Sequence, residues 1–85
     1  MSYTVYILRD QNGKLYKGCT NNLERRLKEH RQGKTKTTRS MKNIEVIYTE
    51  MFDAFKKARE REVYLKSAAG RRFIKKLNLN SNKPG

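Results

Sequence analysis

The segment Tyr3-Thr4-Val5-Tyr6-Ile7-Leu8 constrains the fold more than any other part of the chain. Its aromatic and β-branched residues make it apolar on both sides, so it reads as a strand covered on both faces and therefore central in a sheet. Asp10-Gln11-Asn12-Gly13 is a turn signal directly after it. Residues 15–19 (LYKGC) read as the returning strand, so the first 20 residues are expected to form a β-hairpin. The turn leaves the register open. A two-residue Asn12-Gly13 loop would pair Gln11 with Lys14 and set Tyr6 and Tyr16 on opposite faces. A loop of three or five residues, or one bulge, would set them on the same face.

Thr20-Asn21-Asn22 offers N-caps for a helix over residues 23–32, where Leu23 and Leu27 lie one turn apart and Gly33 supplies a stop. Residues 34–42 hold Lys34, Lys36, Arg39 and Lys42 among threonines and read as a surface loop. Residues 44–48 (IEVIY) read as a third strand. A second helix is expected over residues 52–67, with Asp53 near its positive end and Phe55, Ala58, Leu65 and Ala69 on one face. Gly70 interrupts that pattern, and residues 71–77 read as a short third helix with Phe73, Ile74 and Leu77 inward. Residues 78–85 are polar, end in Pro84-Gly85, and are expected to be a disordered tail. The sum is one α+β domain over residues 1–77, in the order β-β-α-β-α-α, with a three-stranded antiparallel sheet flanked by helices.

Charge narrows the function. Lys and Arg number 21 against 8 Asp and Glu, a net +13 spread along most of the chain. Such an excess points to a polyanion, through counterion release and steering. A membrane surface fits less well, because no long amphipathic helix presents bulky aromatics on its apolar face. Cys19 is alone, so no internal disulfide can form, which suits a reducing cytoplasm. Neither a secretory signal nor a membrane span is expected, and without a Cys/His cluster structural zinc is excluded.

A few residues carry chemistry beyond packing. Glu62 lies four residues after Ala58 and three before Leu65, inside an apolar stripe. A carboxylate there faces the core or a cleft and needs a cation, hydrogen bonds or a metal; a salt bridge to a neighbouring base is an equally good account. Glu60 lies off the stripe and reads as solvated. Arg26 and His30 are one turn apart on the flank of Leu23 and Leu27, while Arg25 is expected to pair with Glu29 at the surface. His30 alone suits a favourable partner of the helix dipole; with Arg26 it tilts toward a phosphate site. Tyr6 and Tyr16 alone suit packing residues with a polar handle. Gly18 marks a bulge, a close backbone approach or a plain strand end.

In order and spacing these features resemble the GIY-YIG nucleases over residues 3–77. The first motif corresponds to Thr4-Val5-Tyr6 and the second to Tyr16-Lys17-Gly18. Cys19-Thr20-Asn21-Asn22-Leu23-Glu24-Arg25-Arg26-Leu27 is similar to the family's polar cap and Leu-x-x-Arg helix. Residues 58–66 are similar to the helix holding its conserved acid, and residues 66–74 to short, single-domain bacterial members. Thr4-Val5 stands where the family has Gly-Ile, Val5 being a mild change, whereas Lys17 replaces an apolar residue and is expected to face away from the tyrosines.

The resemblance implies a site of Tyr6, Tyr16, Arg26, His30 and Glu62, with both tyrosines on one face. It implies phosphodiester hydrolysis with Mg²⁺ or Mn²⁺ held by Glu62. It gives the proton from the attacking water to Tyr6, the phosphoryl charge to Arg26, and orientation to Tyr16 and His30. A further polar family position falls in the 34–38 loop, with Thr35 as its candidate. Lys17, Lys34, Lys36, Arg39 and Lys42 are expected phosphate contacts, the basic loop being mobile until it meets nucleic acid, DNA rather than RNA. The chain holds no room for a recognition domain, so weak or structure-dependent specificity, or delivery by a protein partner, is expected. The main alternative is a non-catalytic DNA- or RNA-binding module on the same scaffold; a small ribosome-associated basic protein is a third.

Overall fold

The computed structural model describes residues 2–81. Its elements run β1 (Tyr3–Arg9), β2 (Leu15–Thr20), α1 (Leu23–Arg31), a 3₁₀ turn (Lys36–Thr38), β3 (Glu45–Phe52), α2 (Phe55–Leu65) and α3 (Ala68–Ser81). The sheet order is β2-β1-β3 with both pairings antiparallel, so the apolar 3–8 segment is the central strand, as its composition predicts.

The turn settles the register. Asp10 N–H donates to Lys14 O and Gly13 N–H to Asp10 O, which leaves a three-residue loop at 11–13. Gly13 sits at φ 84°, the left-handed conformation that closes such a loop. Asp10, itself buried, accepts from the N–H groups of Asn12 and Lys14 through Oδ1 and so fixes the turn from inside. Tyr6 therefore opposes Gly18 and Leu8 opposes Tyr16. Facing residues share a side of the sheet, so both tyrosines lie on one face.

The two faces carry different partners. Val5 and Ile7 pack with Ala58 and Leu65 of α2 and Ile74 of α3. Tyr6 and Leu8 pack with Met41 and Ile44, flanked by Tyr16 and by Leu23 and Leu27 of α1. A bulge in the β1–β3 pairing, where Ile7 opposes Tyr48 but Leu8 opposes Val46, puts Ile47 and Tyr48 with the first cluster and Val46 with the second.

Six expectations about the elements change. β3 runs on to Phe52, because its second half pairs with residues 3–6 of β1 and Glu50 is satisfied by Tyr48 Oη at 2.7 Å and Arg61 Nε at 2.9 Å. α2 consequently starts at Phe55, and Asp53 precedes it, paired with Lys57. Phe55 is 55% exposed and packs edge-on against Tyr3 at 5.6 Å instead of entering the core. α3 starts at Ala68, three residues early, capped by Ser67 Oγ accepting from Gly70 N–H. Gly70 does not break the helices. A Cβ there would sit 2.1 Å from Tyr64 O and 2.5 Å from Leu65 Cα, so glycine is what lets α3 turn off the end of α2. At its other end α3 continues through Ser81, since Asn, Leu and Ser do not stop a helix as Pro does; residues 78–81 of the expected tail are thus helical and the rest lie outside the described residues.

Candidate active site

The register brings two phenols to one place. The Tyr6 and Tyr16 rings are 6.2 Å apart, and His30 from α1 meets both, at 5.9 Å and 4.9 Å. Gly18 makes room. A Cβ at that position would lie 2.6 Å from Tyr6 Oη and 3.0 Å from the Tyr16 ring. Gly18 is therefore a close-approach glycine and not a simple strand end.

Tyr6 is fully buried, with its Oη 2.9 Å from His30 Nε2. His30 Nδ1 is 2.8 Å from Thr38 Oγ1, and that hydroxyl in turn donates to Thr35 O at 3.5 Å. A hydroxyl has one proton, so Thr38 accepts from His30 Nδ1–H. Nε2 is then the bare nitrogen, and Tyr6 donates to it. Burial, and next the charge of Arg26, hold the imidazole below its ordinary value of 6.5, which keeps it a neutral acceptor. Burial, ahead of the nearby Tyr16 and against the pull of Arg26, pushes the Tyr6 phenol up to about 12. Tyr16 is only half-buried.

Arg26 is gripped by Glu29, its Nη1 2.9 Å from the carboxylate, and its charge acts on the Tyr6 phenol. Glu29, ahead of the phenols and against burial, raises the guanidinium pKa, so the charge is fixed. Glu29 was expected to pair with Arg25. It takes Arg26 instead, its i,i+3 neighbour on the same helix.

Glu62 is buried, as the stripe predicts, but α2 carries it on the opposite face of the sheet from the tyrosines. Arg59 Nη1 and Lys66 Nζ each hold one of its oxygens at 3.0 Å. These cations are 55% and 52% exposed, so both bridges end in solvent and each contributes at most about 1 kcal/mol. The acid faces the edge strand: burial first, then the Glu62 charge, raises the Cys19 thiol pKa. Cys19 also lines an open groove of about 440 Å³ with Tyr3, Thr20, Asn21, Arg25, Arg26, Glu29 and Phe55. That groove runs round the end of β2 from the Arg26 side toward α2. Phe55 stands two turns before Glu62 on the same side of that helix.

A single carboxylate is a sparse metal site. Among the described residues no three His, Cys, Asp or Glu side chains gather to hold an ion. The donor chemistry of Glu62 suits a hard cation that keeps its waters and takes the rest of its oxygens from phosphate, once an exposed bridge swings aside.

The basic residues divide. Lys34, Lys36 and Arg39 are exposed, with Arg39 Nε donating to Gly33 O at 3.2 Å, while Lys42 lines a surface groove with Arg31, Met41, Asn43 and Ile44. Lys17 faces away from the tyrosines, as alternation predicts, and looks toward α3. Within the loop, Thr38 and Met41 turn their side chains inward and are buried. Thr38, and not Thr35, is the polar loop residue that joins the site through its side chain. Nothing local in Lys34-Thr35-Lys36-Thr37-Thr38 distinguishes the three threonines, so only the packing against His30 finds it.

A profile of the GIY-YIG catalytic domain matches residues 2–78. The chain belongs to the GIY-YIG family. Family membership makes it a relative of nucleases, and its relatives are small, single-domain proteins. A UPF0213 protein of Clostridium perfringens is 40% identical over 84 residues, covering 98% of this chain and 86% of that protein. A UPF0213 protein of Autographa californica nuclear polyhedrosis virus is 41% identical over 86 residues, covering 96% and 79%. The solution NMR structure of a UPF0213 protein from Bacillus halodurans superposes with a TM-score of 0.59 at 30% identity, covering 98% and 89%. In this GIY-YIG domain the tyrosines and glycine of the two motifs are one packed unit, since Tyr6 opposes Gly18 across the hairpin and Tyr16 lies diagonal to it.

Proposed function

We propose that this protein is a divalent-metal-dependent endonuclease that hydrolyses DNA phosphodiester bonds with weak or structure-dependent specificity. The observation that carries the reading is Arg26, a cation whose charge Glu29 fixes and which lines the open groove at the end of β2. A phosphate entering that groove meets a guanidinium able to neutralise charge developing on its equatorial oxygens.

Water attacks phosphorus, the P–O3′ bond breaks, and the water proton must leave. The resemblance assigns that proton to Tyr6. The burial of Tyr6 and its raised pKa disfavour it as that acceptor and favour Tyr16, the phenol that is only half-buried. Tyr6 and His30 then hold Tyr16 and Arg26 in register from behind. Mg²⁺ or Mn²⁺ held by Glu62 would polarise the phosphate and stabilise the leaving oxygen. No helix among the described residues is long and apolar enough to cross a membrane. With the net charge of +13, the assigned partner is nucleic acid and the assigned compartment the cytoplasm.

The deciding assay is cleavage of supercoiled, linear and branched DNA, and of RNA, with and without Mg²⁺ or Mn²⁺. Glu62→Ala is expected to abolish cutting while melting and binding persist. Tyr16→Phe is expected to lose roughly 10²–10⁴-fold and Tyr6→Phe less. Salt-sensitive binding by the wild type with no cutting under any divalent ion would instead make the protein a binding module. Equal loss from Tyr6→Phe and Tyr16→Phe would return the proton to Tyr6.

A further inference from the structure

The face of the sheet away from the tyrosines carries a cluster of cations without a carboxylate. After Glu62 the chain contains no acidic residue, yet it holds Lys66, Arg71, Arg72, Lys75, Lys76 and Lys83. α3 therefore has no acid of its own with which to pair. Arg71 and Lys75 are one turn apart and exposed on α3, and with Leu15, Lys17 and Ile74 they enclose a cavity of about 130 Å³ against β2. Lys17 is half-buried there. Among the described residues none of the three makes an ion pair, and Glu62 of α2 is already taken by Arg59 and Lys66. Burial first, and then the charges of Arg71 and Lys66, lower the Lys17 pKa. A half-buried ammonium pressed between like charges weakens the fold unless an anion completes it.

Position says which anion. β2 is an edge strand, and its helix-facing residues run Leu15, Lys17, Cys19. Cys19 lies in the groove that Arg26 lines and feels Glu62; Lys17 is the next residue along the same face, about 7 Å away. A backbone leaving the groove at Cys19 and passing along the edge of β2 would arrive at this cluster.

We propose that Lys17, Arg71 and Lys75 form a second phosphate-binding site, which holds the nucleic-acid backbone beyond the Cys19 end of the groove. The inference rests on the nucleic-acid reading above. It assigns the protein a substrate footprint that wraps the β2 edge, where a chain bent or branched at the cut is held on both faces of one small domain.

The test is the salt dependence of binding to a fluorescent 20-base-pair duplex between 50 and 200 mM KCl, without divalent ions. The Lys17→Gln/Arg71→Gln/Lys75→Gln variant is expected to lower the slope of log K against log salt by about 2–3, since each phosphate contact contributes about 0.9. Arg71→Gln and Lys75→Gln singly, both on exposed side chains, are each expected to lower it by about 1, which keeps the test open if the triple variant does not fold. Lys28→Gln/Lys56→Gln/Lys57→Gln removes the same charge from other exposed positions and is expected to lower the slope by less than 1. An equal fall in that control would reduce the cluster to net charge and overturn the site. A slope unchanged by the Lys17 cluster variant, with the wild type binding normally, would overturn the second site and leave the nuclease reading standing. A wild type that binds no duplex at any salt would remove both.

Discussion

At the scale of single residues, the chain from Tyr6 through His30 to Thr38 ties the hairpin, α1 and the basic loop together with two short hydrogen bonds among fully buried groups. His30 is the single histidine of the chain, which makes its titration easy to isolate. Its folded pKa lies below 6.5, so the unfolded chain takes up the proton first as pH falls. Stability is then complete above about 6.5 and declines between that value and the lowered folded pKa. The urea midpoint is expected to drop between pH 7 and pH 5, a window in which few other side chains change charge, and His30→Gln is expected to flatten it. A wild-type midpoint constant over that range would mean that His30 is free to charge in place, and that Thr38 does not fix its tautomer.

At the scale of elements, the contact between α2 and α3 depends on absent atoms at Gly70. Helix propensity favours alanine over glycine by about 1 kcal/mol, so a generic forecast would make Gly70→Ala stabilising. The backbone of Tyr64 and Leu65 stands where the Cβ would go, and backbone has no flexible end with which to give way. Overpacking of this kind costs about 1–3 kcal/mol. The clash is expected to win, lowering Tm by roughly 5–15 °C in a domain of this size, measurable by circular dichroism. An unchanged or higher Tm would show that α3 can slide on α2 without loss. The consequence reaches function, because α2 carries Glu62 and α3 carries Arg71 and Lys75.

At the scale of the whole molecule, charge and fold oppose each other. A net +13 on 85 residues repels itself in the compact state, and salt screens that repulsion over about 10 Å at 0.1 M. Raising KCl from 0.02 to 0.3 M is expected to raise Tm by several degrees, roughly 1 kcal/mol of relief, while the same salt weakens nucleic-acid binding; a Tm that falls with salt would mean that the surface ion pairs outweigh the repulsion. Much of this molecule was written locally. The apolar run at residues 3–8 determined the central strand, the stripe around Ala58 and Leu65 determined that Glu62 is buried, and the spacing of Arg26 and His30 determined that they share a flank, because strand and helix periods act over a few residues. Three matters waited for tertiary structure. The three-residue loop decided that Tyr6 and Tyr16 share a face, since the turn sequence allowed more than one register. Packing of α2 on the far side of the sheet decided that Glu62 lies on the face opposite the tyrosines, because no local pattern says which face a helix will cover. And the fold of the basic loop over His30 chose Thr38 from three threonines, because a hydrogen bond between side chains eight residues apart exists only once the elements have met.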